Sequence, residues 1–213
     1  MLQKQAVPKK LLELLIELEN IPELNNFNLA GGTALALQMG HRKSIDIDLF
    51  TTEIFDENSI MEIFTSKFKE TKVLSLSKNS VNCVINGIKV DAIRHSYPYL
   101  EDYLEEENIR MFSLADIAAM KLNAIAGNGS RVKDFIDLYF LLDKFSLEQM
   151  IKFYSKKYSQ MEPFFVIKSI VYFDDIDEST WKAVKLLKKT DLTFSKIKRK
   201  LEKAVANCPI VKN

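Results

Sequence analysis

The stretch LAGGTALALQMGHRKSIDIDLFT, residues 29–51, holds a strand end, a glycine turn, a helix and a second strand in close order. Phe27 to Ala30 is a short apolar run that ends at Gly31-Gly32, and Thr33 opens a helix that should stop at Gly40. Ile45 to Phe50 then alternates. Ile45, Ile47 and Leu49 share one face and Asp46, Asp48 and Phe50 the other, which is the spacing of a half-buried strand. A Gly-Gly turn lets the backbone approach a ligand closely, and the N–H groups of the helix behind it favour phosphate. Period two sets the Asp46 and Asp48 carboxylates on one side of the strand, about 7 Å apart. Such a pair could simply face water. Asp is disfavoured in strands, however, and a third carboxylate, Asp91, lies in the apolar run IKVDAI, where an acid is costly unless paired or metal-bound. Three carboxylates converging from two adjacent strands can hold two Mg²⁺ ions and clamp the oxygens of a phosphoryl transfer.

Outward from this stretch, Leu11, Leu12, Leu15, Ile16 and Leu18 give the first twenty residues a helical period. Ile60, Ile63, Phe64 and Phe68 predict a helix over 57–68, followed by strands at 72–76, 81–85 and 88–93, the last two joined by the hairpin signal Asn86-Gly87. After Pro98 the acidic segment EDYLEEEN reads as a linker, and from Leu114 on the pattern is helical throughout. The expectation is an α+β protein: a lobe over residues 1–106 with a mixed sheet and flanking helices, a helical lobe over 107–213, and a ligand cleft between them.

Composition narrows the class. With 213 residues, 47% hydrophobic and 28% charged, the chain is neither disordered, collagen-like nor a coiled coil throughout. Its net charge of +1 hides a split, with 11 basic and 16 acidic residues over 1–106 and 19 and 13 over 107–213. Cys83 and Cys208 form no disulfide framework or zinc site and suit a reducing compartment. Nothing approaches the apolar run of a membrane span, and the amphipathic start is no signal peptide, so a cytoplasmic protein is expected. Between Trp181 and Asn213 stand 10 basic and 2 acidic residues, either a face that tracks an RNA backbone or a solvated surface.

These motifs resemble the DNA polymerase β-like nucleotidyltransferase superfamily, whose mark is a glycine-rich helix start, then DxD on a strand, then a third acid. Residues 29–51 are more closely similar to the AbiEii/AbiGii toxin family, where a basic residue and a serine precede DxD as Arg42 and Ser44 do here. The block SLADIAAMKLNAIAGNGSRVKDFIDLYFLL, residues 113–142, carries the rest of the likeness. It places Lys121 and the Lys133-Asp134…Asp137 segment at the family's nucleotide-site positions. The resemblance implies a nucleotidyltransferase-like sheet and a Mg²⁺-dependent transfer of a nucleoside monophosphate from an NTP, with RNA or tRNA the first acceptor to test. It also implies a type IV toxin–antitoxin role with a separately encoded antitoxin, and growth inhibition or phage defence as the outcome. Asp46, Asp48 and Asp91 would hold the metals, and with Lys121 and Asp134 form the catalytic group. Gly31, Gly32, Thr33, Arg42, Ser44, Lys121, Lys133 and Asp137 would hold the nucleotide. Asp134 and Asp137 could position Lys121, bind base or ribose, or support the metals; alone, the segment also reads as an exposed helix start with Ser130 as its cap. A small-molecule nucleotidyltransferase and a non-catalytic nucleotide- or protein-binding relative are the competing readings. His41 and His95 read as a loop or cleft residue and an unsupported one, Cys83 as strand packing, and Phe135, Leu138, Tyr139 and Leu142 as core.

Overall fold

The computed structural model describes residues 1–211, which separate into two units. One comprises Met1–Pro98 and Asp102–Phe112; the other comprises Tyr99–Glu101 and the residues from Ser113 on.

The first unit is built on a seven-stranded mixed sheet. Its elements are α1 (Lys9–Glu19), β1 (Asn28–Leu29), α2 (Gly31–Met39), β2 (Ile47–Thr51), α3 (Glu57–Lys67), β3 (Thr71–Ser77), β4 (Ser80–Ile85), β5 (Ile88–Arg94), β6 (Leu104–Glu106) and β7 (Ile109–Met111). The strands lie in the order β3-β4-β5-β2-β1-β7-β6, with β2 parallel to β5 and β1 parallel to β7. Apolar alternation chooses the inner face: Ile47 pairs with Val90 and Leu49 with Ala92, and all four are buried. The same register sets Asp48 beside Asp91 and Phe50 beside Ile93 on the opposite face. α2 packs on β2, and α3 on β3 and β4. α2 stops at Gly40, whose φ of +61° is the left-handed geometry of a helix end.

Two hairpins close with both turn residues at positive φ, as tight hairpins require: Asn86-Gly87 between β4 and β5, and Glu107-Asn108 between β6 and β7. The second replaces the expected linker. Residues 101–108 hold one crossing between the units, at Glu101–Asp102, but most of them form this hairpin, because Ile109 and Met111 are buried while β6 is an outermost strand that tolerates its charges. The expected division after residue 106 therefore falls at this turn, whereas the first unit runs on to Phe112.

The second unit consists mainly of helices: α4 (Leu114–Gly127), α5 (Val132–Leu141), α6 (Leu147–Lys157), α7 (Pro163–Ile170) and α8 (Phe194–Ala206). α4 packs against α5, α6 and α7, and its N-terminus is capped by Ser113, whose hydroxyl accepts from the Asp116 N–H. Arg131 rather than Ser130 occupies the cap position of α5; Ser130 bonds Asn128 instead. Phe135 and Leu138 are core, but Tyr139 and Leu142 are half-exposed. Tyr139 lies beneath the ammonium groups of Lys200 (4.2 Å) and Lys189 (4.9 Å).

Several cations of the basic C-terminal segment are engaged within the unit. Lys189 and Lys200 both bond Asp143, Lys196 bonds Asp191, and Lys198 stands over Phe194 and Phe173. Lys212 and Asn213 lie outside the described residues.

Candidate active site

The first cluster is assembled where β1 runs into α2 and β2 lies beside them. The Ala30 N–H donates to the Asp48 carbonyl at 2.8 Å, which ties the glycine turn to the carboxylate-bearing strand. Gly31 has φ +65°, and a β-carbon there would lie 2.1 Å from Asp48 Oδ2. Both backbone conformation and space thus demand glycine. A β-carbon on Gly32 would meet Arg42 Nη2 at 2.6 Å. Among the described residues no side chain caps α2, and an uncapped helix start of this kind suits an anion.

Thr33, Arg42 and Ser44 are buried rather than spread along an open pocket. The Thr33 hydroxyl donates to the Asp46 carbonyl and lies 2.9 Å from Ser44 Oγ, so these two residues brace the turn that delivers DxD. Asp46 stands one residue before β2, not within it. His41 lies in the loop between α2 and β2, as expected from sequence, and is buried there. His95 stacks on Phe50, with ring centroids 5.6 Å apart. Cys83 packs in β4 as expected; burial, with the Asp91 charge adding to it, pushes its thiol up to about 12.

Asp48 and Asp91 are direct neighbours on parallel strands, which set them about 4.8 Å apart at the backbone. Asp91 is only 7% exposed, and its Oδ1 is buried with no hydrogen-bond partner among the described residues. Its other oxygen, Oδ2, accepts from the Lys89 ammonium. That bond, opposed by burial and reinforced by the charges of Asp91, Asp48 and Asp46, holds Lys89 above the ordinary lysine range. Among the described residues no three His, Cys, Asp or Glu side chains are already gathered as a metal cage. An unsatisfied buried carboxylate oxygen beside a second carboxylate nevertheless suits a hard cation.

The second cluster lies wholly within the helical unit. Lys121 of α4 bonds Asp134 Oδ1 and Asp137 Oδ2 of α5, both at 2.7 Å, and is 9% exposed at its side chain. The i, i+3 spacing that brings the two acids onto one helix face makes this clamp. Arg131 adds a bond to Asp134 Oδ2 at 2.9 Å. Lys133 is exposed, and Asp137 pairs with Lys121 rather than with Lys133. Of the three tasks open to Asp134 and Asp137 in the sequence, positioning Lys121 is the one seen here.

A family model described as "Nucleotidyl transferase AbiEii toxin, Type IV TA system" matches residues 13–98 and 64–192. The chain belongs to this AbiEii family. Nucleotidyl transfer is accordingly its activity class. The uncharacterized protein aq_aa25 of Aquifex aeolicus (strain VF5) is 36% identical over 186 residues, 84% of this AbiEii protein and 89% of that relative. Among solved structures, a candidate nucleotidyltransferase from H. pylori aligns with TM-score 0.53 at 18% identity, covering 96% of this chain and 93% of that one. The antibiotic-resistance factor ANT(2″)-Ia aligns with TM-score 0.53 at 14% identity, covering 72% and 94%. At such identities these two structures support the fold alone. No helix among the described residues is long and apolar enough to cross a membrane.

Sequence reading sets Lys89 on the strand face of Asp91 without giving it a role, and it misses the Asp116–Lys157 pair of the helical unit. That shared face was the available signal for a role. Nothing local signals the pair, because its partners stand 41 residues apart.

The glycine turn gives a direct prediction. Gly31→Ala is expected to cost about 1–2 kcal/mol of stability through left-handed backbone strain, and to displace the Asp48 carboxylate. Denaturant melts combined with a transfer assay check it: activity should fall by far more than the loss of folded protein explains. Gly32→Ala should be milder, since its β-carbon meets the tip of a side chain.

Proposed function

We propose that this AbiEii protein transfers a nucleoside monophosphate from an NTP to a hydroxyl of an RNA acceptor. The acceptor oxygen bonds to the α-phosphorus, the bond from that phosphorus to the bridging oxygen breaks, and pyrophosphate leaves. Asp46, Asp48 and Asp91 are assigned as ligands of Mg²⁺, with two ions expected. When bound, Mg²⁺ supplies positive charge to the phosphoryl oxygens and lowers the barrier to deprotonating the acceptor. The observation that carries the reading is the in-register Asp48–Asp91 pair, with an unpartnered buried oxygen on Asp91 and the uncapped α2 start held against Asp48.

The chain's own residues divide the work. Gly31 and Gly32 bring backbone N–H groups to the triphosphate, and Thr33, Ser44 and Arg42 fix the turn on which Asp46 and Asp48 are presented. Asp91, besides its place at the metals, draws the proton from the acceptor hydroxyl. Asp134 and Asp137 hold the Lys121 ammonium, the cation assigned to nucleotide phosphate, and Lys133 adds a second positive charge. The family's type IV classification supports a toxin that works in the cytoplasm, where NTPs and RNA are found, against a separately encoded antitoxin, with phage defence as one outcome.

The test is incubation of the purified protein with each α-labelled NTP, total RNA and Mg²⁺, followed by gel analysis. Label should enter a discrete RNA band and disappear when EDTA removes the divalent ion. Label confined to pyrophosphate exchange or to a small molecule would reject RNA as acceptor. Lys121→Gln is expected to raise the KM for NTP by about tenfold, the size of one lost charge-assisted phosphate contact. Nucleotide titration of initial rates measures this, with a denaturant melt confirming that the variant is folded.

A further inference from the structure

Asp48 and Asp91, two of the three assigned metal ligands, share their sheet face with a cation that belongs to the chain. Lys89 and Asp91 lie two residues apart on β5, and alternation therefore sends both side chains to the face that carries Asp48. The Lys89 side chain is about half-exposed, 47%, whereas that of Asp91 is 10% exposed, so the ammonium reaches in from solvent to Asp91 Oδ2. Oδ2 is thereby occupied while Oδ1 is not.

Resting on the metal assignment above, we infer that Lys89 is a resident counter-cation of the aspartate cluster, which weakens the free protein's hold on divalent ions by competing for Asp91. Lys89 is thus a positioning residue, acting through the carboxylate. Two like-charged aspartates on adjacent strands repel, and a lysine beside them neutralises part of that charge in the free protein. The same positive charge opposes an incoming divalent ion. At the dielectric of water, which suits a half-exposed ammonium, one unit charge about 6 Å from a doubly charged ion changes its binding by about tenfold. The free protein should therefore carry little metal, and binding should strengthen when nucleotide phosphates add their own oxygens.

The measurement is Mn²⁺ binding to the full-length protein without nucleotide, read from the paramagnetic resonance of free Mn²⁺. Lys89→Met should bind about tenfold more tightly than wild type, and Lys89→Arg, which keeps the charge, should match wild type. The melting temperature without metal should fall in Lys89→Met, and added Mn²⁺ should raise it further than in wild type. Unchanged or weaker binding by Lys89→Met overturns the inference, as does equal tightening by Lys89→Arg. Asp91→Asn separates the two levels. If it weakens Mn²⁺ binding while Lys89→Met does not tighten it, only the role of Lys89 is lost. If Asp91→Asn leaves binding unchanged, or no form binds Mn²⁺, the metal assignment falls and this inference with it.

Discussion

Asp48→Ala is expected to reduce kcat/KM for nucleotidyl transfer by about a thousandfold or more, some 4 kcal/mol of transition-state stabilisation, while the protein stays folded. Both halves of this expectation come from geometry. Asp48 lies beside Asp91 on parallel strands and presses against Gly31, so it is the carboxylate tied to both the acidic pair and the glycine turn. The half-exposed side chain contributes little apolar burial, and its loss relieves repulsion with Asp91. Initial-rate assays with labelled NTP and denaturant melts on the same preparation provide the two readouts. Asp46→Ala should act in the same direction. Near wild-type transfer by either variant would remove that residue from the reaction.

The second large effect is on stability. Lys157 and Asp116 form a 2.7 Å ion pair in which neither side chain is exposed. Asp116 also accepts from the Ser113 hydroxyl and from the backbone N–H groups of Leu100 and Glu101. Lys157→Met leaves that carboxylate buried without its cation, and should destabilise the protein by about 3–5 kcal/mol. The double variant Asp116→Asn, Lys157→Met should recover part of the loss, since it buries no charge. Burial, opposed by the Asp116 bond and charge, holds Lys157 below the 10.5 of a free lysine. The unfolded chain therefore keeps this proton where the folded chain releases it. The contribution of Lys157 to stability should rise with pH between its lowered value and 10.5. Urea midpoints of wild type, the more stable of the two, and of Lys157→Met should diverge on that account as pH rises through this alkaline range; parallel curves would contradict it.

What could be read from sequence was what local chemistry specifies. Gly31-Gly32, the helix end at Gly40, the alternation through Asp48 and the Asn86-Gly87 hairpin each depend on a few neighbouring residues, and the fold follows them. The Glu107-Asn108 hairpin was hidden because its turn has no glycine and its outer strand is acidic. Thr33 and Ser44 read as nucleotide contacts, but they meet each other only once the chain between them has folded back. Tyr139 and Leu142 share the helical period of true core residues, and only the neighbouring lysines show Tyr139 to be half open. That Asp134 and Asp137 could position Lys121 was one of three readings open in the sequence, and both carboxylates bond it.

The path of the chain restricts how the protein can be taken apart. It passes from the first unit to the second at Tyr99, returns at Asp102 and leaves again at Ser113. The returning segment brings β7 to the side of β1, the strand that leads into the glycine turn. A fragment ending at Pro98 would therefore expose the edge of β1, and one beginning at Ser113 would lose the backbone donors that Leu100 and Glu101 give to Asp116. Inactive versions for cloning alongside a partner gene are accordingly better made by point substitution than by truncation.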